Sequence, residues 1–337
     1  MCLQSAAYLK SLLKNFPSKA RFVFAYGSAV FKQNNGFKNN VIDLLFAVEN
    51  PIEWHRSNII QNSSHYSFLK YFGPDFIAKF QSNFAAKCYY NTLIPLNDGT
   101  NNMIKYGVIK EEDLIEDLLD WNSLYISGRL HKPVKFLVEP QSDTLKKALQ
   151  INLQSAVHLS LLLLNETFTE EQLYLTIAAT SYKGDFRMTF GEDKNKVQNI
   201  VKPHIDKFRR IYQPYLESEA MKHLLTFNSS TQLYVQNLSS GVLFHHLSML
   251  PKTVQYMIYV KYNKSRRILD LDEYLMIISK SYRCPYYVQS AVNSIVRYSS
   301  YTQTVKGFFT AGVLKSIKYA SAKIFKMTKS LIPEHLK

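Results

Sequence analysis

The sequence predicts an α/β protein of the α+β kind, with a mixed sheet in its first half and a mainly helical second half. Three observations carry that prediction. Short apolar runs bounded by Asn, Asp and Gly turns recur through the first 140 residues. After Ser142 the hydrophobic spacing turns helical. A length of 337 residues, with 46% hydrophobic and 14% aromatic side chains, suffices for two ordinary cores.

Taken in order, MCLQSAAYLKSLLKNF sets Leu9, Leu12, Leu13 and Phe16 near one helical face, with Lys10 and Lys14 a turn apart. This acid-free start reads either as an organellar targeting segment or as a surface helix before the first strand. Apolar runs at 21–25, 41–48, 89–96, 103–109 and 133–138 read as strands. Between the last two, Leu114, Ile115, Leu118 and Leu119 fall at helical spacing. A long helix opens at Ser142, and Thr169-Glu-Glu-Gln172 is a capping box before another. In GDFRMTFGEDKNK, Phe186, Met188 and Phe190 alternate with Asp185, Arg187 and Thr189, the pattern of a hairpin strand. Helix, turn, helix and hairpin suggest a winged-helix module, and polar 217–241 reads as a loop or linker. The expected units are 1–140, 141–302 and a tail, 303–337.

The net charge of +15 is unevenly placed. Residues 1–42 hold six Lys/Arg and no acid, and 303–337 hold seven Lys and one acid. The middle is therefore nearly neutral, which argues against the basic stripe of a nucleic-acid binder. Three scattered cysteines make neither a disulfide framework nor a zinc pattern. The longest aliphatic run, AVHLSLLLL, is too short to cross a bilayer.

The chemistry centres on FVFAYGSAV and the following VIDLLFAV. A strand ending in Gly-Ser at a helix start offers backbone N–H groups to an anion. Gly27 allows a phosphate close to the backbone, and Ser28 adds a hydroxyl. Asp43 on the next strand fits a Mg²⁺ bridging carboxylate and phosphate oxygens, the logic of the nucleotidyltransferase superfamily. The same residues also fit a plainer reading, with Ser28 capping a helix and Asp43 satisfying a turn. That superfamily sets a second acid two places after the first, where this chain has Leu45. A lone carboxylate leans towards an acceptor that is already ionised, such as a phosphomonoester, over a hydroxyl.

YGSAVFKQ, VIDLLFAV and WHRSNIIQNSSHYSFLKYFGP resemble the mitochondrial phosphatidate cytidylyltransferases, the translocator assembly and maintenance family. IKYGVI, LIEDLLDWNSLYISGRLHKPVK, SYKGDFRM, GEDKNKV and KGFFTAG extend the resemblance over about 22–312. It implies a nucleotidyltransferase domain joined to a winged helix, making CDP-diacylglycerol from CTP and phosphatidate with Mg²⁺, for cardiolipin and phosphatidylglycerol synthesis. It also implies the matrix face of the mitochondrial inner membrane, and a family pattern in which Leu45 is no defect.

On this reading Asp43 binds metal, and Asp43, Ser28 and Lys132 are the catalytic candidates. Tyr26, Gly27 and Ser28 hold the nucleotide, with His55 and His65 from a stripe of His55, Asn58, Asn62 and His65 on one helix face. Arg129, Lys132, Arg187 and Lys194 are phosphate clamps, and Glu139 is a candidate second acid. No nucleic-acid partner is expected. An RNA-directed nucleotidyltransferase and a non-catalytic membrane adaptor are the alternatives.

In the tail, Leu314, Ile317, Ser321, Ile324 and Phe325 lie along one helical side, with Lys315, Lys318, Lys326 and Lys329 opposite. This is the pattern of an amphipathic helix docked on anionic lipid. Phe308 and Phe309 precede it as a possible aromatic wedge.

Overall fold

The computed structural model describes residues 5–31, 41–96, 102–188, 193–263 and 269–312. Five strands, β1 (Phe22–Tyr26), β2 (Val41–Val48), β3 (Cys88–Pro95), β4 (Met103–Lys110) and β5 (Lys135–Val138), form one mixed sheet. Its order is β3-β4-β2-β1-β5, and β2–β4 is the parallel pair. All five expected strands are present, the last one shortened. The central strands are buried on both faces, so they read as continuous apolar runs.

On one face α1 (Ala6–Leu12) and α2 (Pro51–Gln61) pack Leu9, Leu12 and Trp54 onto Val23, Leu44, Phe46 and Val108. The N-terminal helix thus packs against the sheet. Asn50 caps α2 by accepting the Ile52 and Glu53 N–H groups, with Pro51 at its first position. α3 (Gly73–Asn83) lies beside α2 and sets Ile77 against Tyr66 and Tyr89.

The other face of the sheet meets α4 (Glu111–Asp120), α5 (Ser127–Leu130) and the start of α6 (Asp143–Leu163). Three acids in the first turn of α4 complement its dipole. Leu114, Leu118, Leu130 and Leu145 cover Phe22, Phe24, Leu45 and Ala47. Leu45 is fully buried, a core residue where the superfamily pattern has an acid.

The second core begins in the same helix. The C-terminal half of α6 packs with α7 (Glu170–Ala179), α8 (Lys196–Val201) and α9 (Ile205–Leu216) around Leu161, Leu173, Phe208 and Tyr212. Ser142 caps α6, and both halves of the Thr169–Gln172 capping box form. The expected hairpin at 185–190 is not found in its described part, where Phe186–Met188 is a single 3₁₀ turn. The hairpin falls in the stretch expected to be a linker, as β7 (Leu225–Asn228) and β8 (Leu233–Gln236). They pair with β6 (Thr167–Phe168) in the order β6-β8-β7. Polar residues hide this hairpin because only Leu225 and Gln236 of its strands are buried.

Then α10 (Ser240–Ser248), α11 (Lys252–Tyr262), α12 (Leu271–Ser279) and α13 (Cys284–Ala311) complete the helical half. α13 runs unbroken through the boundary expected at 302/303 and returns to the sheet domain. There Gln303 bonds Ala86 N–H and Cys88 C=O, and fully buried Lys306 donates to the carbonyls of Gln81 and Phe84 at 2.7 Å each. None of the described helices is long and apolar enough to cross a membrane. The amphipathic pattern at 313–337 lies outside the described residues.

Four buried histidines give a test of this packing. Burial lowers His55 and His158 to about 4 and His131 and His246 to about 3. An unfolded chain protonates its imidazoles near 6.5. Between about pH 6.5 and 4 the unfolded state therefore binds more protons, so stability falls as pH falls. We expect the melting temperature to drop steadily across that window, and His158→Gln to flatten the slope. A melting temperature unchanged from pH 7 to about pH 4.5 would contradict the assignment.

Candidate active site

The site is built where β1 ends. Tyr26 stands opposite Asp43 in the β1–β2 ladder, and Gly27 leaves the strand at φ +86°. A Cβ at Gly27 would stand 2.9 Å from Asp43 Oδ2, so only glycine permits this approach. The C=O of Gly27 accepts from the N–H groups of Val30 and Phe31, making one turn. The helix expected at Ser28 is thus, within the described residues, a single turn, and anion binding there rests on a few N–H groups.

The parallel pairing of β2 and β4 sets Lys105 beside Asp43, with Nζ 3.8 Å from Oδ1. Lys105 also lies over the Tyr90 ring at 4.9 Å, and the Tyr90 and Tyr26 hydroxyls meet at 3.3 Å. Sequence reading missed Lys105, because its partner depends on strand order.

A second set of cations comes from the loop after α4. The Asp117 carboxylate accepts the N–H groups of Ser123, Leu124, Ile126 and Ser127 and both serine hydroxyls. This fixed loop carries Tyr125 and leads into α5, where Arg129 lies 3.9 Å from the Tyr125 ring centre and 5.6 Å from that of Tyr26. Burial alone would raise the Tyr125 phenol, but Arg129, then Arg187 and Lys105, outweigh it and bring it below its usual value. Three cations from three separate segments therefore converge on one ring.

Lys132 bonds the carbonyl of Gly128 and, at 2.8 Å, the Ser181 hydroxyl, joining the sheet domain to the turn after α7. Burial first, then repulsion from Arg129 and Lys196, holds it well below the lysine range. A Cβ at Gly128 would lie 2.4 Å from Ser181 Cβ, so this seam too needs glycine. Arg187 makes a two-pronged pair with Asp185, at 2.9 Å and 2.6 Å. Lys194 is exposed in the turn before α8, and it is Lys196, 5.2 Å from the Tyr182 ring centre, that joins the cluster.

Two expectations do not fit this geometry. His55 and His65 do not line the site. They sit with Tyr106, whose side chain points to the opposite face of the sheet from its neighbour Lys105. α2 ends at Gln61, so His65 belongs to a separate 3₁₀ turn. His55 is fully buried, with ring nitrogens 2.8 Å from Tyr66 Oη and 2.8 Å from Gln81 Oε1. Asn58 donates to Tyr66 and Tyr106, and Asn62 to Asn58. The polar stripe is an internal network. Glu139 is exposed beyond β5, whose Val138 pairs with Val23 at the other end of β1 from Tyr26. Antiparallel pairing carries it away from Asp43.

For a hard cation, one carboxylate against a cleft that a Cβ would fill is a sufficient protein ligand. Mg²⁺ usually keeps waters and takes substrate phosphate oxygens. Among the described residues, the one trio of possible ligands with metal-like spacing is His158, His245 and His246, on α6 and α10. Its nitrogens suit softer metals than Mg²⁺.

A family profile described as phosphatidate cytidylyltransferase, mitochondrial, matches residues 9–326. The chain belongs to that family. It is 44% identical over 326 residues to the mitochondrial phosphatidate cytidylyltransferase of Xenopus laevis, covering 96% of this chain and 95% of the relative. The Danio rerio protein of the same name is 42% identical over 327 residues, covering 96% and 95%. That of Drosophila melanogaster is 42% identical, covering 90% and 93%. Membership makes the chain a mitochondrial-family nucleotidyltransferase enzyme, which removes the non-catalytic adaptor.

Gly27→Ala tests the core of the site. The methyl group meets the Asp43 carboxylate in a strained backbone, so stability should fall by about 1–3 kcal/mol. Displacing Asp43 should cost on the order of a hundredfold in kcat/KM. Unfolding by urea and initial-rate kinetics measure the two, and a fully active Gly27→Ala enzyme would exclude the contact from catalysis.

Proposed function

We propose that the chain transfers a cytidylyl group from CTP to phosphatidate, releasing diphosphate and forming CDP-diacylglycerol for cardiolipin and phosphatidylglycerol synthesis. The observation that carries this reading is the Asp43 carboxylate against bare Gly27, with Lys105 3.8 Å away and Arg129 and Arg187 gathered with it on the neighbouring Tyr125 ring. A carboxylate beside a cluster rich in cations suits a reaction in which both partners are anions.

A phosphate oxygen of phosphatidate attacks the CTP α-phosphorus in line. The new P–O bond forms as the bond to the β-phosphate oxygen breaks, and diphosphate leaves with the electron pair. The attacking oxygen is already ionised at neutral pH, so no protein base is required. Gly27 and Ser28 receive the triphosphate. Asp43 would hold Mg²⁺, which when bound would supply charge neutralisation on the phosphates. Arg129, Lys132 and Arg187 hold the acceptor phosphate, with Lys196 replacing Lys194 in that role. Among the described residues Lys132 hydrogen-bonds to two neutral acceptors, and it is repelled by Arg129 and Lys196. An arriving phosphate relieves that repulsion and restores the charge. His55 and His65 act through packing.

The enzyme works on the matrix face of the inner membrane, held by the amphipathic segment 313–337 through anionic lipid. Supporting this are its lysine-rich sequence pattern and a substrate and product that stay in the bilayer.

Folded Asp43→Asn enzyme should lose on the order of a thousandfold or more in turnover. Diphosphate release across a matrix of nucleotides and acceptors reads it, with CTP and phosphatidate as the productive pair. Near-normal CDP-diacylglycerol synthesis by Asp43→Asn would exclude the metal role. Deleting 313–337 should abolish co-sedimentation with anionic vesicles and turnover of bilayer phosphatidate while sparing CTP binding. Unchanged co-sedimentation at physiological salt would move the membrane contact elsewhere.

A further inference from the structure

α3 carries an unusual outer face. Phe72, Phe76, Phe80 and Phe84 recur every four residues along it, with ring centres 5.0, 6.1 and 5.8 Å apart in succession. Phe68 extends the row at 6.5 Å from Phe72. The helix turns Ile77, Ala78 and Gln81 inward and Phe80 packs partly against that core, while Phe68, Phe72, Phe76 and Phe84 are exposed. Phe72 is 61% exposed and neighbouring Tyr71 is 82% exposed, far above what a monomer surface ordinarily leaves as a contiguous aromatic row.

The end of α13 widens the patch. Lys306 donates to the carbonyls of Gln81 and Phe84 and lies 5.6 Å from the Phe80 ring centre. It therefore clamps α13 along α3 and leaves Phe308 and Phe309 exposed beside the row. At the other end a Cβ on Gly312 would stand 3.8 Å from Ser67 Cβ. Gly312, the residue before the lysine-rich sequence 313–337, thus lies where the exposed aromatics begin. Lys70, 5.4 Å from the Tyr71 ring centre, and exposed Lys79 add cations at the rim.

We infer that this aromatic face is a bilayer-contact surface, inserted at headgroup depth and independent of the tail. Aromatic rings flanked by lysines are the composition that the membrane–water interface favours. Lysines answer anionic headgroups while the rings enter the acyl boundary. The inference rests on the bilayer-surface reading above and adds a second contact that fixes orientation, because one point of attachment alone leaves the body free to rotate about it. α3 lies on the sheet face opposite Asp43, so the surface holds the body without occupying the nucleotide site.

The native tryptophans make the test clean. Trp54 is 2% exposed and Trp121 is fully buried, so their emission is insensitive to vesicles. Phe72→Trp in the full chain should shift its emission to the blue on adding phosphatidylcholine–phosphatidylglycerol vesicles, whereas Phe227→Trp, on the exposed β7 strand, should not. The double variant Phe72→Gln/Phe76→Gln, with an unchanged melting temperature, should lower vesicle partitioning by about tenfold or more. That loss should persist in high salt, where lysine contributions are screened. No blue shift at residue 72 in a chain that still co-sediments would overturn the inference and leave the tail as the anchor. Emission already blue without vesicles would overturn it as well. Loss of that shift on deleting 313–337 would name the tail as what covers the face, and concentration dependence would name a second copy.

Discussion

The bare backbone of Gly27 against the Asp43 carboxylate is the contact on which the rest of the site depends. It puts an acid at the end of a buried sheet, where desolvation would be costly without neutralising charge. Lys105 supplies that charge from the adjacent parallel strand at 3.8 Å. A triphosphate and its cation would enter at this point because the backbone there has no side chain to displace. The antiparallel β1–β2 register fixes the contact, since a slip of one residue would turn Asp43 to the α2 face.

The neighbouring cations are held by hydrogen-bonded scaffolding built on two further carboxylates, Asp117 and Asp185. Asp117 ties down residues 123–127, and that loop delivers Tyr125 and Arg129. Two glycines then let the halves of the chain touch. Gly128 meets Ser181, and Gly184, at φ +94°, lies so close to Asn293 that a Cβ would stand 2.4 Å from its carbonyl oxygen. Lys132 and Arg187, from the two halves of the chain, are thereby each brought beside Arg129. Repulsion from Arg129 and Lys196 adds to burial in holding Lys132 below the lysine range.

The sheet separates labour between its faces. The face towards α4, α5 and α6 carries Asp43, Lys105, Tyr26 and Tyr90. The opposite face carries the His55–Asn58–Tyr66–Tyr106 network, which supports α2 and, through Gln81, α3. Burial keeps the His55 imidazole neutral, and the network holds α3 in place through Gln81. A role for His55 in the fold explains the polar stripe without any ligand.

The sequence by itself determined the elements and the acid. Apolar runs located the five strands, Ser142 and Thr169 located the helix starts, and Gly27, Ser28 and Asp43 marked the turn and the carboxylate, because these depend on local spacing and backbone chemistry. Arg129, Lys132 and Arg187, which the fold brings into one neighbourhood, were singled out through the resemblance. The tertiary structure alone decided which face each side chain occupies and which strands are neighbours. His55 and His65 have helical spacing that looks like an exposed stripe, yet burial depends on what packs over them. Glu139 ends a strand near Asp43 in pattern, but an antiparallel neighbour reverses its direction. The hairpin at 225–236 was illegible because its strands are four residues each, mostly unburied and flanked by polar sequence, and are held by pairing with Thr167–Phe168, some sixty residues earlier in the chain. Lys105 gained its meaning only from the parallel β2–β4 register, a long-range pairing that no local pattern encodes.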